Sequence, residues 1–533
     1  MDTPAPATRT LASSIAEILK ANGVQRIFGI PGGGSSLAIM EAAGRAGLEF
    51  VLTRTETAGA IMAAVTGELT GTPGVMLTGI GPGATSAVNG IAYASLEKSP
   101  VILLTDGPAS TPHQALDQNT LYAPITKMQG RLQPGDGFET IERAIEAAMT
   151  PPWGPVQLDL TAEDAASRLN INAVKPLYTN DKPADNSEIE AARSLISNSQ
   201  KPVILAGVEA RHGKAPEALR ALAEALSCPV LVTLKAGGVL PTSHESYAGL
   251  FTGAIAEADL IHEADLIILY GFDAIELIPS KWSYDCPVVD LCRAESTPLP
   301  VKPAASAVGD IAQSAESLVP HVQTSNWPAD KIDAARKKIT ERFALRGNDT
   351  AQTVTEAAAE ACPEGTRLTV DAGAHMFSAL AFWPAEEPYG VLKSDGLSTM
   401  GYALPAAIAS SLQEPERPVL AITGDGGLMM CLSELTTAVE RGCNITVVVI
   451  NDAALSLIDI KQQRQQYQPR GVRYPSVDFA ACAQAMGCAA SRVEPGGDIS
   501  AALKKAFAVN GPALVDVVCN SDGYGEQLVN IRG

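Results

Sequence analysis

No two cysteines of this chain form a Cys-x-x-Cys pair, none precedes Cys228, and their number, nine, is odd. That excludes a disulfide or zinc framework and predicts buried thiols in a reducing compartment. Positive charge is also short, with 39 Lys+Arg against 59 Asp+Glu and a net charge of -20. Nucleic acid and anionic membrane surfaces are thereby excluded as partners. A phosphorylated cofactor is not, because a metal and helix N-termini supply local positive potential. Long apolar runs are missing; Ile445–Ile450 with its flanks is far short of a membrane span. The start MDTPAPATRT lacks a basic segment followed by an apolar one, so no secretory signal is expected and the expected compartment is cytoplasmic. Neither GxSxG nor HExxH occurs. Gly29–Gly34 (GIPGGG) and Gly79–Gly83 (GIGPG) fit neither GxGxxG nor GxxxxGK[ST] in the right context.

What is present is a 533-residue chain with 46% apolar and 18% charged residues, enough for about three globular domains. Glycine-rich turns alternate with apolar strands and Ala-rich helices. The fold class expected is α/β, with three doubly wound parallel-sheet domains: 1–170, 187–322 and 332–533. Two linkers separate them, Ile171–Asn186 and Gln323–Lys331, both rich in polar residues and Pro. Lys201–Gly207, Cys228–Leu234 and Ala264–Gly271 read as three buried strands of the central segment. The first and third segments look like copies. Gly59–Gly107 reads helix, PGVMLTGIGPGA, helix, SPVILLTDG; Gly401–Asp452 reads helix, RPVLAITGDGG, helix, NITVVVIND.

The stretch Ile422–Ile458 carries the chemistry. The strand Val419–Thr423 runs into Gly424-Asp425-Gly426, a helical segment follows, and the strand Ile445–Ile450 ends at Asn451-Asp452. A βαβ unit puts both strand ends on one edge of a parallel sheet, where ligands bind. Asp425 and Asp452 are therefore expected to converge. Two oxygen ligands beside glycine-exposed N–H groups suit Mg²⁺ carrying a phosphate ester. A lone GDG would be only a strand-terminal turn; the spacer, helix and second strand reverse that reading.

This pattern resembles the signature of thiamine-diphosphate enzymes, GDG followed some two dozen residues later by Asn-Asn, with Asp452 in place of the second Asn. RTETAGAIMAAVTGELTGTPGVMLTGIGPGATSAVNGIAYA (54–94) is similar to the N-terminal domain of the acetolactate synthase, pyruvate oxidase and decarboxylase group. The resemblance implies thiamine diphosphate and Mg²⁺ as cofactors. Glu56, in Thr55-Glu56 where relatives carry His-Glu, would be the carboxylate that activates the aminopyrimidine through its N1′. Ser394–Gly401 resembles S-G-G-L-G-T-M-G. Met400 would bend the cofactor, and the carbonyl of Ser398 would accept from its 4′-amino group. Asp371–His375 would touch the diphosphate through Gly373, Ala374 and His375, alongside the backbone of Gly424, Gly426 and Gly427. Asp425, Asp452 and the carbonyl of Ala454 would hold the metal. His113 and Gln114, in a Pro/Thr-rich loop, would face the thiazolium. Taken singly, Glu56 is a helix-opening acid, Met400 a core residue, His375 a helix-start His and His113 a solvated loop His.

The implied reaction is decarboxylation of a 2-oxo acid, the acyl unit then being protonated or joined to an acceptor. The acceptor machinery of the anabolic synthases is altered. Leu116-Asp117-Gln118 replaces Phe-Gln-Glu, Gly271-Phe272-Asp273 lacks the arginine of GxRFDD, and Lys461 replaces a Trp. FAD in the central domain is doubtful for the same reason. Lacking that arginine, the chain is expected to form acetolactate poorly unless Lys461 substitutes. Two other readings stand beside this: a lyase cleaving a 2-hydroxyketone or 2-hydroxyacyl-CoA, and a non-catalytic cofactor-binding homologue. The resemblance further implies a homodimer or homotetramer, with Glu56 meeting the metal ligands across a subunit interface.

Overall fold

The computed structural model describes residues 8–107, 113–170, 176–177, 181–277, 282–295 and 298–533. The Pro/Thr-rich loop before His113 and half of the linker Ile171–Asn186 lie outside them. Three six-stranded, all-parallel sheets carry the fold. Strands such as Val156–Leu160 and Ile445–Asn451 are buried along their whole length. Helices cover both faces of such sheets, which is why Ile445–Asn451 reads as a nearly continuous apolar run, whereas Val156–Leu160 buries Gln157 and Asp159, which are hydrogen-bonded to each other.

Each sheet's six strands can be counted in chain order. The first (from Arg26–Ile30 to Val156–Leu160) and the third (from Arg367–Val370 to Ala513–Val518) then share the spatial order 2-1-3-4-6-5. The internal duplication expected from the glycine turns is therefore present in the topology. The central sheet (from Pro202–Ala206 to Ala305–Val308) has the order 3-2-1-4-5-6, that of dinucleotide-binding folds. It contains three strands beyond those read from sequence: Tyr247–Phe251, Val288–Cys292 and Ala305–Val308.

By its contacts the chain divides into two compact units. The first comprises Met1–Asn180, Leu404–Pro415 and Cys431–Cys443; the second comprises Asp181–Ala403, Glu416–Met430 and Asn444–Gly533. Within the second, Gln323–Lys331 is not an open linker. Trp327 is buried and its Nε1–H donates to the carbonyl of Pro202 at 2.8 Å. The single helix expected after Gly424 is two short ones, Asp425–Cys431 and Glu434–Glu440. No helix among the described residues is long and apolar enough to cross a membrane.

Candidate active site

Strands Val419–Gly424 and Ile445–Asn451 are parallel neighbours, with Gly424 opposite Ile450. Asp425 and Asp452 therefore leave the sheet side by side and line one cavity of about 700 Å³. Asp425 Oδ1 accepts from the N–H of Gly426 (2.7 Å) and the hydroxyl of Tyr474 (2.9 Å). Its Oδ2 is buried without a hydrogen-bond partner. Asp452 accepts from the N–H of Ala454 (3.2 Å) and the hydroxyl of Ser456 (2.6 Å). Burial, and then the charge of Asp425, push Asp452 up to about 7; burial raises Asp425 as well. Two adjacent buried carboxyl groups are costly without a cation. No cluster of three His, Cys, Asp or Glu side chains suited to a metal occurs among the described residues. The pair thus fits a hard cation that completes its shell with main-chain oxygen, water and phosphate.

A side chain on the glycines beside the pair would crowd their neighbours. A Cβ on Gly427 would lie 2.5 Å from Asp371 Oδ2, and one on Gly426 would lie 2.8 Å from Leu455 Cδ2. Asp371 is buried at the end of Arg367–Val370. It accepts from the N–H groups of Ala372 (2.9 Å), Gly401 (3.1 Å) and Tyr402 (3.3 Å), and from Thr423 Oγ1 (2.9 Å). One carboxyl group thereby ties the turn 371–375, the turn before 402 and the Gly424–Gly427 bend together. His375 opens the helix His375–Phe382. Burial lowers its pKa to about 4, so the ring is neutral near pH 7, and its Nε2 is buried without a partner. The one proton of the neutral ring is directed at the Asp371 backbone, so Nε2 presents a lone pair to the cavity.

Gly373, Ala374, Ser398, Met400 and Ala454 line the same cavity. Ser398 has φ +51°, and its hydroxyl donates to the carbonyl of Asp395 at 2.8 Å. Asp395, which stands where the resemblance has Gly, does reach the cavity and forms an ion pair with buried Lys393. Lys461 lies at the exposed rim. Leu234, Ala274, Ile275 and Leu277 contribute apolar wall, and Arg532 contributes a cation that sequence reading had not singled out.

In the first unit Glu56 opens the helix Glu56–Thr70, whose N-cap Thr55 accepts from the N–H of Ala58. Its Oε1 would stand 3.4 Å from a Cβ on Gly83, so the glycine turn 79–83 keeps the carboxylate uncovered on that side. Gln118 is buried and staples that turn: its Oε1 accepts from the N–H of Gly81 at 3.0 Å, and its Nε2 donates to Asp159 at 2.6 Å. His113 and Gln114 are exposed. Glu434 accepts from the N–H groups of Arg54 and Thr55, both at 2.9 Å, and so fixes the entry to the Glu56 helix. Glu434 and Tyr474 were missed by sequence reading; the first lies 380 residues from its partner Arg54.

At the carboxyl edge of the central sheet, Glu276 accepts from the N–H groups of Val208 (2.9 Å) and Asp273 (3.2 Å) and from Thr233 Oγ1. Glu209 accepts from the N–H of Arg293 at 3.0 Å. Both carboxyl groups are buried, and burial pushes them up to about 8 and about 7 respectively. A Cβ on Gly207 would sit 2.5 Å from Glu276 Oε2.

Three family models match in chain order. They are the thiamine pyrophosphate enzyme N-terminal TPP binding domain at residues 9–129, the central domain at 189–318 and the C-terminal TPP binding domain at 371–517. Similar proteins include the acetolactate synthase of Bacillus subtilis, 27% identical over 95% of this chain and 92% of that protein. The probable acetolactate synthase large subunit of Methanocaldococcus jannaschii is 30% identical over 95% of this chain and 91% of that protein. The catabolic acetolactate synthase of Raoultella terrigena is 28% identical over 95% and 94%. The chain belongs to the thiamine pyrophosphate enzyme family, as an acetolactate synthase-like enzyme dependent on that cofactor.

Proposed function

We propose that this enzyme is a Mg²⁺- and thiamine-diphosphate-dependent decarboxylase and carboligase acting on a 2-oxo acid. The observation that carries the reading is the Asp425–Asp452 pair, with one buried oxygen unpartnered, beside the Gly424–Gly427 bend. Asp425, Asp452 and the carbonyl of Ala454 would hold the metal. The backbone of Gly373, Ala374, Gly424, Gly426 and Gly427, with His375 beside it, would hold the diphosphate. Met400 would support the bent cofactor, and the carbonyl of Ser398 would accept from its amino group. Glu56 would hold the proton at pyrimidine N1′, the position from which a carboxylate sets the ring's tautomer. Bound thiamine diphosphate supplies a nucleophilic carbon and an electron sink for loss of CO₂. The apolar wall of Leu234, Ala274, Ile275 and Leu277 excludes water there. His113 and Gln114, exposed in this chain, are proposed only as visitors from their loop to the substrate side.

FAD does not fit the central domain. Its sheet has the dinucleotide order, but Glu276 and Glu209 already take the edge amides, and the family's arginine is absent from Gly271-Phe272-Asp273. The domains are taken as 1–170, 187–322 and 332–533. The working state is a cytoplasmic homodimer or homotetramer with sites shared between chains. Screening 2-oxo acids for CO₂ release, with thiamine diphosphate and Mg²⁺ supplied, tests the reaction. Saturable cofactor binding without CO₂ release from any 2-oxo acid would overturn it.

A further inference from the structure

Arg532 is the last residue of the helix Tyr524–Arg532. That helix is firmly seated: Tyr524 and Gln527 are buried, Gln527 Nε2 donates to Ser378 Oγ at 3.0 Å, and the carbonyl of Ile531 accepts from Ile255 N–H at 3.1 Å. The guanidinium is thereby delivered into the cavity that holds Asp425 and Asp452. It stacks over Phe377 with 5.1 Å between Cζ and the ring centroid. It makes no ion pair among the described residues, and its Nε is buried without a hydrogen-bond partner. The anion nearest to hand, Asp395, is paired with Lys393. Lys461, the cation suggested by sequence, sits at the exposed rim, where water screens it.

A stacked, half-buried guanidinium with a free donor is built to receive an anionic oxygen group. Two groups of that chemistry enter this cavity: the diphosphate of the cofactor and a carboxylate of the substrate. The diphosphate already has the Gly424–Gly427 bend, His375 and a metal site. A carboxylate about to leave as CO₂ gains nothing from a cation, because the ion pair stabilises the ground state more than the charge-dispersed transition state. What remains is a carboxylate that survives the reaction. We infer that Arg532 binds the retained carboxylate of an acceptor 2-oxo acid, doing from the last helix what the arginine missing from Gly271-Phe272-Asp273 does in relatives. This rests on the 2-oxo acid reading above. The reaction is then RCO–COO⁻ + R′CO–COO⁻ + H⁺ → RCO–C(OH)(R′)–COO⁻ + CO₂. One C–C bond forms, one breaks, and the acceptor's carboxylate is kept. With Arg532 in that role, ligation of two 2-oxo acids is expected to be efficient, where the missing arginine alone predicts poor acetolactate formation.

The probe is oxamate, an unreactive mimic of a 2-oxo acid, titrated calorimetrically into the holoenzyme beside neutral oxamide. Arg532→Gln should weaken oxamate about ten- to a hundredfold, the range for a charged hydrogen bond, and leave oxamide unchanged. Arg532→Lys should recover part of the loss, and Lys461→Ala should cost less than Arg532→Gln. In turnover, Arg532→Gln should raise the acceptor KM more than it lowers kcat, and an unchanged Tm shows that the helix has kept its seat. Equal oxamate affinity in the wild type and Arg532→Gln overturns the assignment, as does a larger loss in Lys461→Ala. A loss of Mg²⁺–pyrophosphate affinity in Arg532→Gln as large as the oxamate loss also overturns it, and gives the arginine to the cofactor. Absence of CO₂ release from every 2-oxo acid, with oxamate binding still dependent on Arg532, would instead sink the proposed reaction and keep the anion site.

Discussion

Asp452 shows how one residue's chemistry follows from its neighbours. Where the family pattern has Asn, this chain buries a second carboxyl group beside Asp425, and burial together with the Asp425 charge raises the cost of charging Asp452. Removing one like charge should relieve the protein before any metal arrives. Asp452→Asn is expected to raise the Tm of the cofactor-free protein slightly, by about 1–2 °C for a chain of this length, while Mg²⁺ binds more weakly. A lowered Tm without metal would show that the pair is not repulsive. Asp425→Ala should abolish thiamine-diphosphate binding, because it removes the ligand whose Oδ2 has no other partner; calorimetry with unchanged affinity would refute that role. Glu56→Gln keeps size and loses charge, so hydrogen–deuterium exchange at C2 of the bound cofactor should slow greatly with binding largely kept. Asp425 and Asp452 could be read from strand ends and spacing, since a parallel βαβ unit leaves no other place for them. Glu56 could be read only through family resemblance, because a Glu opening a helix is ordinary. Tyr474 and Glu434 could not be read: no local pattern reveals that a hydroxyl 49 residues away meets Asp425, or that Glu434 caps a turn 380 residues back.

At the scale of elements, the central sheet separates fold from function. Lys201–Gly207, Cys228–Leu234 and Ala264–Gly271 were readable as long branched runs. Val288–Cys292 was not, because Asp290 interrupts it, and Ala305–Val308 is short and built of small residues. The dinucleotide strand order therefore emerges only from the structure, together with the carboxyl group that closes its edge. Two outcomes follow. The purified enzyme should show no flavin absorbance in the visible; stoichiometric flavin would refute the plugging role of Glu276. Glu276 should also tilt the pH dependence of stability. The folded protein keeps its proton up to about pH 8, whereas an exposed Glu titrates near 4.5. Between those values the native state binds more protons, so stability falls as pH rises. Glu276→Gln should flatten the fall of the urea midpoint from pH 5 to 8.5; an unaltered slope would mean that Glu276 does not hold its proton.

For the whole molecule, duplication was visible in sequence because matched glycine turns follow matched strands, and the shared 2-1-3-4-6-5 order bears it out. Not visible was that Leu404–Pro415 and Cys431–Cys443, embedded in the third segment, pack with the first unit. The cause is long-range pairing, such as Arg54 with Glu434 and Thr436, which periodicity cannot report. The proposed catalytic carboxylate, Glu56, belongs to the first unit, and the proposed metal ligands belong to the second. If each site takes Glu56 from one chain and Asp425 from another, two inactive variants can repair one another. In a two-fold dimer of Glu56→Gln with Asp425→Ala, one site carries both changes and the other carries neither. Random reassociation of equal amounts makes half the dimers mixed, so about one quarter of wild-type activity should return. Each variant alone, refolded identically, should stay inactive. If mixing restores nothing although sedimentation shows mixed oligomers, each site is built within one chain and the shared-site proposal is wrong.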